Sequence, residues 1–339
     1  MKISFCIITK NEIENLTRCI DSIRSLAYEI IVVDTGSTDN TLETLRARKD
    51  NAIKIFGFEW VQDFAKARNY SLSKATGDYI IVIDSDEWIT PIELEKIPRA
   101  LSLDYDYYYC KQVSNRKDNL KSFVRNVRIF KNNIGIEYYG MLHESVEFCC
   151  QQKGLKPATI DLSFEHSGYD LTVEEFDKKL DRNIEISLKQ LEVEPENQRV
   201  FMFLANCFFA KQKYSLAMEY ASISLICKDM PTVAQAGTCI LMHNILKAVD
   251  RFQSGIEFLK RSINLVPIQF EARWLYCSAM YDLKEYQECL NQLEQVKKIR
   301  IENKETNMNN DRVLTIDEIN EKIIEVQNLI KQTQYKETA

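Results

Sequence analysis

Two carboxylates at a spacing suited to a metal ion occur in the stretch IDSDEW, from Ile83 to Trp88. Asp84 and Asp86 are two positions apart and directly follow the apolar run YIIVI. Carboxylate oxygens are the ligands that Mg²⁺ and Mn²⁺ prefer, and such an ion can hold a diphosphate. A solvated acidic turn is the alternative interpretation. Because the preceding run is typical of a buried strand in an α/β sheet, the sequence favours a site for Mn²⁺ or Mg²⁺.

Another candidate carboxylate, Asp34, lies in the stretch VVDTGSTDNT. Asp-Thr-Gly also occurs in the catalytic loops of aspartic proteases, but those enzymes need two such loops whose carboxylates share one proton. The chain has one copy, at the end of a predicted parallel strand. Asp34 is therefore predicted to bind the base or hydroxyls of a nucleoside rather than to cleave a peptide bond.

The elements that must position these carboxylates alternate along the first third of the chain. Short β-branched or aromatic runs predict strands at 2–8, 29–34, 52–58 and 79–84. Stretches of helical character lie between them at 14–24, 41–48 and 63–74. This alternation predicts a parallel sheet with helices on both faces and right-handed crossovers. Ligands of open α/β sheets bind outside the carboxyl ends of the strands, and these strands end in polar residues.

The predicted N-terminal domain, residues 1–170, is an α/β domain with a mixed sheet. The aromatic runs YDYYYCKQV, FVRNVRIFK and HESVEFCC predict further strands that complete this sheet. The turn after the first strand, TKNE, has no glycine. A dinucleotide-binding site is therefore not expected.

Residues 171–300 are predicted to form helical repeats, because the apolar pattern becomes helical and glycines are few. Ala217, Gly255 and Cys289 occur in similar contexts, and the last two are 34 positions apart (289 − 255), the tetratricopeptide period. The first interval is longer, 38 positions (255 − 217). A generic helical bundle is the alternative. Residues 301–339 are predicted to be a polar linker, ENKETNMNNDR, and a C-terminal helix at 316–332.

Composition argues against several classes of partner and location. The 339 residues are 45% hydrophobic and have a net charge of −6, without a dense block of Lys and Arg. Nucleic acid and acidic membranes are therefore not expected partners. No run of membrane-spanning length and no signal-peptide cleavage site is recognised. The ten cysteines include no CxxC pair, which predicts buried reduced thiols and a cytoplasmic protein.

Several motifs occur in a characteristic order: TKNE, VVDTGSTDNT, W..DFAKARN, GDYIIVIDSDE, RIF, G.LHE and H.GY. Together they resemble the family-2 glycosyltransferases of GT-A fold, in particular the bacterial branch fused to tetratricopeptide-like repeats. The motifs cover roughly residues 1–170, and the remainder is similar by repeat type alone. The resemblance implies a nucleotide-diphospho-sugar donor, most simply a UDP-sugar, and an inverting transfer assisted by Mn²⁺ or Mg²⁺.

The resemblance also implies roles for individual positions. Thr9, Asn11 or Glu12, and Asp34 are implied to contact the uracil and ribose, with Asp84 near the ribose. Ser85 is a further candidate for binding the nucleotide-sugar. Arg68, in AKARN, resembles the basic group near the diphosphate, with a solvated helix face as the alternative, and Arg128 is a second candidate. Asp86 resembles the metal ligand proper, and His166 in EHSGY is the candidate for an additional histidine ligand.

The predicted catalytic base is Glu144 in GMLHES, because the resemblance places an acidic residue in this part of the sheet. Such a base would deprotonate the acceptor, while a Lewis acid and cationic groups support the leaving diphosphate. His143 is a second catalytic candidate, and Glu87 is a rival for the role of base. His243, inside an apolar helix, is predicted to be core or surface filler.

Tetratricopeptide grooves usually bind peptides, so the predicted acceptor is Ser, Thr or Cys of a peptide or protein. Polysaccharide and lipid-linked acceptors are the alternatives. A repeat scaffold with an inactive transferase domain and a nucleotidyltransferase are two further classes of function. The intact pair Asp84 and Asp86 argues against an inactive transferase domain. The absence of a glycine-rich loop after the first strand argues against a nucleotidyltransferase. The C-terminal helix is a candidate element for homodimer formation.

Overall fold

A computed structural model describes residues 1–115, 121–167, 172–227, 230–302 and 315–338. The chain forms two compact units, Met1–Leu171 and Thr172–Ala339. The first unit combines strands and helices, whereas the described part of the second is entirely helical. Each unit has its own buried clusters of apolar side chains.

The first unit is built on a mixed sheet. Its strands are β1 (Ile3–Thr9), β2 (Glu29–Asp34), β3 (Ile53–Gly57), β4 (Tyr79–Val82), β5 (Glu87–Trp88), β6 (Tyr107–Asn115), β7 (Lys121–Lys131) and β8 (Pro157–His166). Its helices are α1 (Ile13–Ile23), α2 (Thr41–Ala47), α3 (Phe64–Leu72), α4 (Pro91–Leu94), α5 (Lys96–Leu101) and α6 (Glu147–Gln152). The strand order is β3-β2-β1-β4-β7-β6-β8-β5. The strands β3, β2, β1 and β4 are parallel, and β7 pairs antiparallel to β4.

The central parallel strands β1, β2 and β4 are covered on both faces. Successive residues of a strand point to opposite faces, so Ile7 packs in one apolar cluster and Cys6 in the other. In β2, Val32 and Val33 divide in the same way. Because both faces are covered, the strand ends form the accessible edge, and polar residues collect at the carboxyl ends.

The first 84 residues fold as predicted, whereas the rest of the first unit departs from the prediction in two places. All strands and helices predicted within residues 2–84 are confirmed to within two residues at each end. The mixed sheet is also confirmed, but the strand predicted at HESVEFCC is wrong because Glu147–Gln152 forms α6. The buried residues Val146, Cys149 and Cys150 have the i, i+3, i+4 spacing of a helix face. Strand β8 was not predicted, since it begins at a proline and its first half is mostly exposed.

A buried carboxylate joins the amino-terminal ends of the central strands. Glu29, at the start of β2, accepts hydrogen bonds at Oε1 from the hydroxyl of Ser4 at 2.6 Å and from the N–H of Thr76 at 2.6 Å. Lys54 on β3 binds its other oxygen. Burial acts to raise the pKa of Glu29, but these hydrogen bonds lower it to about 2 from the ordinary value of 4.5. Glu29 therefore holds β1, β2, β3 and the loop before β4 together as an anion.

Replacing Glu29 by glutamine is expected to lower the free energy of unfolding at neutral pH by about 2 kcal/mol, because a buried charged hydrogen-bond acceptor is lost. The low folded-state pKa means that the stabilisation is present above pH 4.5 and is lost as pH falls towards about 2. Urea unfolding between pH 7 and pH 3 is the measurement, with Asp161→Asn on the exposed edge of β8 as the control. A stability difference that stays constant over this pH range would contradict the assignment.

The second unit consists of helices arranged as successive pairs. They are α7 (Val173–Val193), α8 (Gln198–Ala210), α9 (Tyr214–Ile226), α10 (Thr232–Ala248), α11 (Phe252–Leu265), α12 (Phe270–Asp282), α13 (Tyr286–Glu302) and α14 (Ile316–Thr338). The pairs α8/α9, α10/α11 and α12/α13 share the same turn. Its left-handed residue is Gln212, Asp250 or Lys284, with φ of 57°, 56° and 63°. The following residue donates its N–H to a carbonyl five positions earlier, at 2.8 Å in all three turns.

The small residues that indicated repeats occupy equivalent places. Ala217, Gly255 and Cys289 are each the fourth residue of the second helix in a pair. A Cβ at Gly255 would lie 2.9 Å from Nδ1 of His243, which is buried in α10. The interval from Ala217 to Gly255 contains α10, which has 17 residues, and the interval from Gly255 to Cys289 contains α12, which has 13. This difference in helix length makes the first interval longer. The prediction of helix-turn-helix repeats is thus confirmed, and His243 is part of the core.

The C-terminal end of this unit was predicted to contain a polar linker and a helix. The C-terminal helix is confirmed as α14, whereas residues 303–314, which include most of the predicted polar linker, lie outside the described residues. Across the helices that the structure describes, none combines the length and apolar character needed to span a membrane.

Candidate active site

The loops after β1 and β2 are joined at the carboxyl edge of the sheet. Thr9 and Asp34 are partners in the register of these strands. Thr35 donates its N–H and its hydroxyl to the carbonyl of Thr9, at 3.0 and 3.1 Å. Asn11, with a left-handed φ of 56°, accepts at Oδ1 from the N–H of Thr38 at 2.7 Å. The fold therefore brings together Thr9, Asn11 and Asp34, and the Asn11 side chain fixes the second loop to the first.

The Asp34 carboxylate is oriented by its own loop. Oδ2 accepts from the N–H groups of Gly36 and Ser37, at 3.1 and 3.0 Å. Gly36 has a φ of 103°, a conformation that favours glycine. Each carboxylate oxygen has two lone pairs, so Asp34 keeps the capacity to accept a hydrogen bond from a ligand. This geometry suits a group that binds rather than one that cleaves.

Asp84 lies between two buried arginines just beyond β4. Its Oδ1 accepts from Nη2 of Arg68 at 2.7 Å, and its Oδ2 accepts from Nη1 and Nη2 of Arg128, both at 3.2 Å. Burial acts to raise the pKa of Asp84, but the two guanidinium groups hold it well below its ordinary value. The ionised carboxylate thus fixes both cations at the strand end. The burial of Arg68 excludes the alternative of a solvated helix face.

Arg68 also contacts Glu144, the predicted base. Nε of Arg68 donates to Oε1 of Glu144 at 2.5 Å, and the Glu144 side chain is 11% exposed. The guanidinium lies over the ring of Tyr138, 5.5 Å from its centroid. Although burial opposes the charged form, Asp84 and Glu144 raise the pKa of Arg68, so it remains a cation. Within the described parts of the chain, Nη1 of Arg68 is buried without a hydrogen-bond acceptor.

Glu87, the rival for the role of base, is completely buried. Oε1 accepts from Nη2 of Arg128 at 2.8 Å and from Nε2 of Gln112 at 2.6 Å, while Oε2 accepts from the N–H of Asp84 at 2.9 Å. Burial raises the pKa of Glu87 to about 7, with Arg128 acting in the opposite direction. A substrate that accepts a sugar cannot reach a side chain without exposed surface. Glu87 therefore holds Arg128 and the backbone of Asp84 in position through these hydrogen bonds.

The two predicted metal ligands lie against each other. Nε2 of His166 is 3.0 Å from Oδ2 of Asp86, whose side chain is 35% exposed. The pairing of β5 with β8 places Glu87 opposite His166, which brings the end of β8 beside the D-x-D loop. Burial acts to lower the pKa of His166, but the hydrogen bond and charge of Asp86 raise it above its ordinary value.

The remaining predicted residues lie around this centre. Ser85 is half-buried in the loop between the two aspartates. Glu12 accepts at Oε2 from Nδ2 of Asn15 at 2.8 Å, so its side chain is directed towards the start of α1. His143 is exposed, with a φ of 54°, and precedes Glu144 in the same loop.

Sequence reasoning missed residues that support the site. Tyr138 lies over Arg68, and its backbone is held by the side chain of Asn69, which donates to its carbonyl at 3.0 Å and accepts from its N–H at 2.8 Å. Gln112 binds Glu87 from β6. Tyr138 and Gln112 belong to no motif, whereas Asn69 directly follows Arg68 in AKARN. A polar glutamine among the apolar residues of a predicted strand was the one available signal.

Residues 4–155 match the family model described as Glycosyl transferase family 2. The matched segment contains every site residue named above except His166. Over this segment the N-terminal unit is therefore similar to family-2 glycosyltransferases, as the motifs predicted, and its mixed sheet is followed by helical repeats.

Among curated proteins, the SPbeta prophage-derived glycosyltransferase SunS of Bacillus subtilis is 26% identical over 223 residues, which is 65% of this chain and 52% of SunS. A TPR repeat-containing protein of Synechococcus elongatus is 30% identical over 146 residues, 43% of this chain and 36% of that protein. The chain thus spans about half or less of the length of these relatives. The crystal structure of S. aureus TarS 1-349 in complex with UDP-GlcNAc aligns with a TM-score of 0.48 and 15% identity, over 77% of this chain and 92% of that one.

Proposed function

We propose that this protein transfers a sugar from a nucleotide-diphospho-sugar, a UDP-sugar, to an acceptor in a metal-dependent, inverting reaction. The observation that carries this proposal is the arrangement beyond β4, where Asp84 holds Arg68 and Arg128 close to the Asp86–His166 pair. Fixed cations beside an exposed carboxylate, at the carboxyl edge of an α/β sheet, suit a diphosphate and its divalent ion. The family match and the name of SunS support the same class of reaction.

The nucleoside end of the donor is assigned to the loops after β1 and β2. The assigned residues are Thr9, Asn11, Glu12, Asp34 and Ser85. Among the residues described, the hydroxyl of Thr9 is buried without a hydrogen-bond partner. Such a group costs about 1–3 kcal/mol when it is left unsatisfied, and a polar atom of the nucleoside would remove that cost. In the same way, an oxygen of the diphosphate would satisfy Nη1 of Arg68.

Asp86 and His166 fit a divalent ion such as Mn²⁺. A carboxylate suits Mg²⁺ and Mn²⁺, and an imidazole nitrogen favours the softer Mn²⁺. Within the described residues no group of three or more His, Cys, Asp or Glu is arranged to hold a metal, so the diphosphate and water would complete the coordination. When bound, the ion would neutralise charge on the departing diphosphate.

Glu144 is assigned as the general base. It takes the proton from the acceptor hydroxyl or thiol while the acceptor atom forms a bond to C1 of the sugar. The bond between C1 and the diphosphate oxygen breaks, and the nucleoside diphosphate leaves with the electron pair. Attack opposite the leaving group inverts C1. Because Arg68 contacts both Glu144 and Asp84, it connects the base to the diphosphate side of the site.

The acceptor is assigned as Ser, Thr or Cys of a peptide or protein, because helical repeats commonly form peptide-binding surfaces. A polysaccharide or a lipid-linked saccharide is the alternative acceptor. The ten cysteines are free thiols, which agrees with a reducing compartment such as the cytoplasm.

The proposed function predicts that the protein releases UDP from a UDP-sugar when Mn²⁺ is present. Incubation with a panel of UDP- and GDP-sugars, followed by separate assays for nucleoside diphosphate and pyrophosphate, is the measurement. EDTA should stop the release, and added Mn²⁺ should restore it. Release of pyrophosphate would indicate a nucleotidyltransferase, and absence of any release would indicate a scaffold with an inactive domain.

A further inference from the structure

The loop that carries the proposed base is a short hairpin, which consists of residues 138–145. Tyr139 and Ser145 exchange two backbone hydrogen bonds of 3.0 Å, and the chain between them contains Glu144. One such pair of hydrogen bonds gives a two-stranded segment little stability of its own. The position of Glu144 therefore depends on the contacts that attach the hairpin to the rest of the first unit.

The hairpin presents two side chains to Arg68. Tyr138 and Glu144 each adjoin one residue of the paired positions, so they lie on the same side of the hairpin. The Tyr138 ring lies over the guanidinium, with its centroid 5.5 Å from Cζ of Arg68. On the same side, Oε1 of Glu144 accepts from Nε of Arg68 at 2.5 Å. A displacement of the hairpin would therefore move the base relative to Arg68.

Asn69, which follows Arg68 in α3, attaches the hairpin by two hydrogen bonds to a single residue. Its Nδ2 donates to the carbonyl of Tyr138 at 3.0 Å, and its Oδ1 accepts from the N–H of Tyr138 at 2.8 Å. A planar amide can make both bonds because it carries a donor and an acceptor. Two contacts with one residue fix the orientation of that part of the chain as well as its distance from α3.

The helix α3 also holds the loop of the hairpin. The N–H of Phe64, the first residue of α3, donates to the carbonyl of Met141 at 2.9 Å. This N–H lies in the first helical turn, so the helix itself offers it no acceptor. The helix thus holds the hairpin at its first residue and in its loop, in addition to the contact between Arg68 and Glu144.

These contacts respond differently to the proposed reaction. Glu144 takes up a proton as the base, and its charge-assisted contact with Arg68 weakens when the carboxylate becomes neutral. The hydrogen bonds of Asn69 and Phe64 join neutral groups, so proton transfer does not change them. A general base must lie within hydrogen-bond reach of the proton that it removes. The neutral contacts are therefore the ones that can hold Glu144 in place throughout the transfer.

We propose that Asn69 is a positioning residue for the transfer reaction, because its two hydrogen bonds to Tyr138 keep the Glu144 carboxylate within reach of the acceptor. The proposal rests on the proposed function, since it takes Glu144 as the base. Arg68 has a contact of its own with Asp84, at 2.7 Å, which does not involve Asn69. The donor side of the site is therefore expected to keep its geometry when the Asn69 amide is removed.

Replacing Asn69 by alanine should lower kcat for UDP release by about 10 to 10²-fold, because a displacement of about 1 Å at a reacting group has an effect of this size. The donor Kd, measured by titration calorimetry with Mn²⁺ present, should stay unchanged. Asn132→Ala is the matched control. Asn132 is also half-buried, and its Nδ2 donates to the carbonyls of Ala75 and Gly77 at 3.1 and 2.9 Å, beside the start of β4 and away from the site. This variant should keep the native kcat.

A double variant tests whether Asn69 acts through the base. If it does, Asn69→Ala/Glu144→Gln should have the same kcat as Glu144→Gln alone, because a carboxylate that is absent cannot be misplaced. Losses that multiply in the double variant would overturn the proposal. A donor Kd that rises in step with the fall in kcat would also overturn it, since Asn69 would then act on the donor side.

Hydrogen exchange followed by mass spectrometry measures the attachment of the hairpin without turnover. Amides within residues 138–145 should exchange faster in Asn69→Ala than in the native chain, and at the native rate in Asn132→Ala. Circular dichroism checks folding. If the alanine variant does not fold, Asn69→Ser replaces it, because its hydroxyl cannot bond both groups of Tyr138 as the amide does. Unchanged exchange in the folded variant would contradict the role of Asn69.

Failure of this proposal and failure of the proposed function give different results. If the native chain releases UDP from no donor, the proposed function is rejected, and the role of Asn69 is rejected with it. If the native chain releases UDP and the folded Asn69 variant does so at the native kcat, the role of Asn69 alone is rejected.

Discussion

Replacing Glu144 by glutamine should lower kcat for UDP release by about 10² to 10⁴-fold, the usual contribution of a general base. Donor affinity should change little. The glutamine amide oxygen still accepts from Nε of Arg68, so the cations at the end of β4 stay in place. The proton of the acceptor, however, no longer has a carboxylate to receive it. Initial rates at saturating donor, together with the donor Kd from titration calorimetry, measure the two quantities separately.

Glu137→Gln is the matched control, because Glu137 is exposed in the segment just before the hairpin. It should leave kcat and Kd unchanged. If Glu144 only holds Arg68 in position, donor affinity and turnover should fall together in Glu144→Gln. Near-normal turnover would remove Glu144 from the chemistry and would require another exposed group as the base, with His143 as the neighbouring candidate.

Replacing Asp86 by alanine should abolish Mn²⁺-dependent binding of the donor. The variant loses the more exposed of the two proposed ligands and leaves His166 alone, so Mn²⁺ affinity should fall by more than about a hundredfold, beyond the effect typical of residues that merely support a ligand. Electron paramagnetic resonance of free Mn²⁺, recorded with UDP present, measures this affinity without relying on turnover.

Asp161→Ala provides the matched control, since Asp161 lies on β8 like His166 and its side chain is 80% exposed. Its Mn²⁺ affinity should equal that of the native chain. Full Mn²⁺-dependent donor affinity in Asp86→Ala would exclude Asp86 from the site. His166→Ala should weaken Mn²⁺ binding to a smaller extent, because the carboxylate remains.

The elements that depend on periodicity were predictable from sequence, and those that depend on tertiary contacts were not. The strands β1, β2 and β4 are buried on both faces, so their apolar runs are continuous and bounded by polar ends. The run HESVEFCC was misread because a short apolar stretch fits either a strand or one helical turn. Strand β8 has few buried residues in its first half, so it lacks the pattern on which such a prediction depends.

Some residues of the candidate site could also be predicted from local sequence, and others could not. Asp84 and Asp86 could be predicted as a pair because both directly follow one strand. The contact of His166 with Asp86 is made by the pairing of β5 with β8, and that register is not encoded in local spacing. Motif resemblance identified Arg68 and Glu144 separately, but only the folded chain places them 2.5 Å apart. The burial of Glu87 likewise follows from Gln112 and Arg128 on distant strands.

The common turn within the helix pairs has a consequence for how the second unit can change in size. Gln212, Asp250 and Lys284 adopt the same backbone conformation and are followed by the same hydrogen bond. Removing the segment from one such turn to the next, for example residues 251–284, or duplicating it in tandem, would rejoin the chain at a turn of the same geometry. Gene duplication or protein engineering can therefore alter the number of helix pairs, and the length of the array changes with that number.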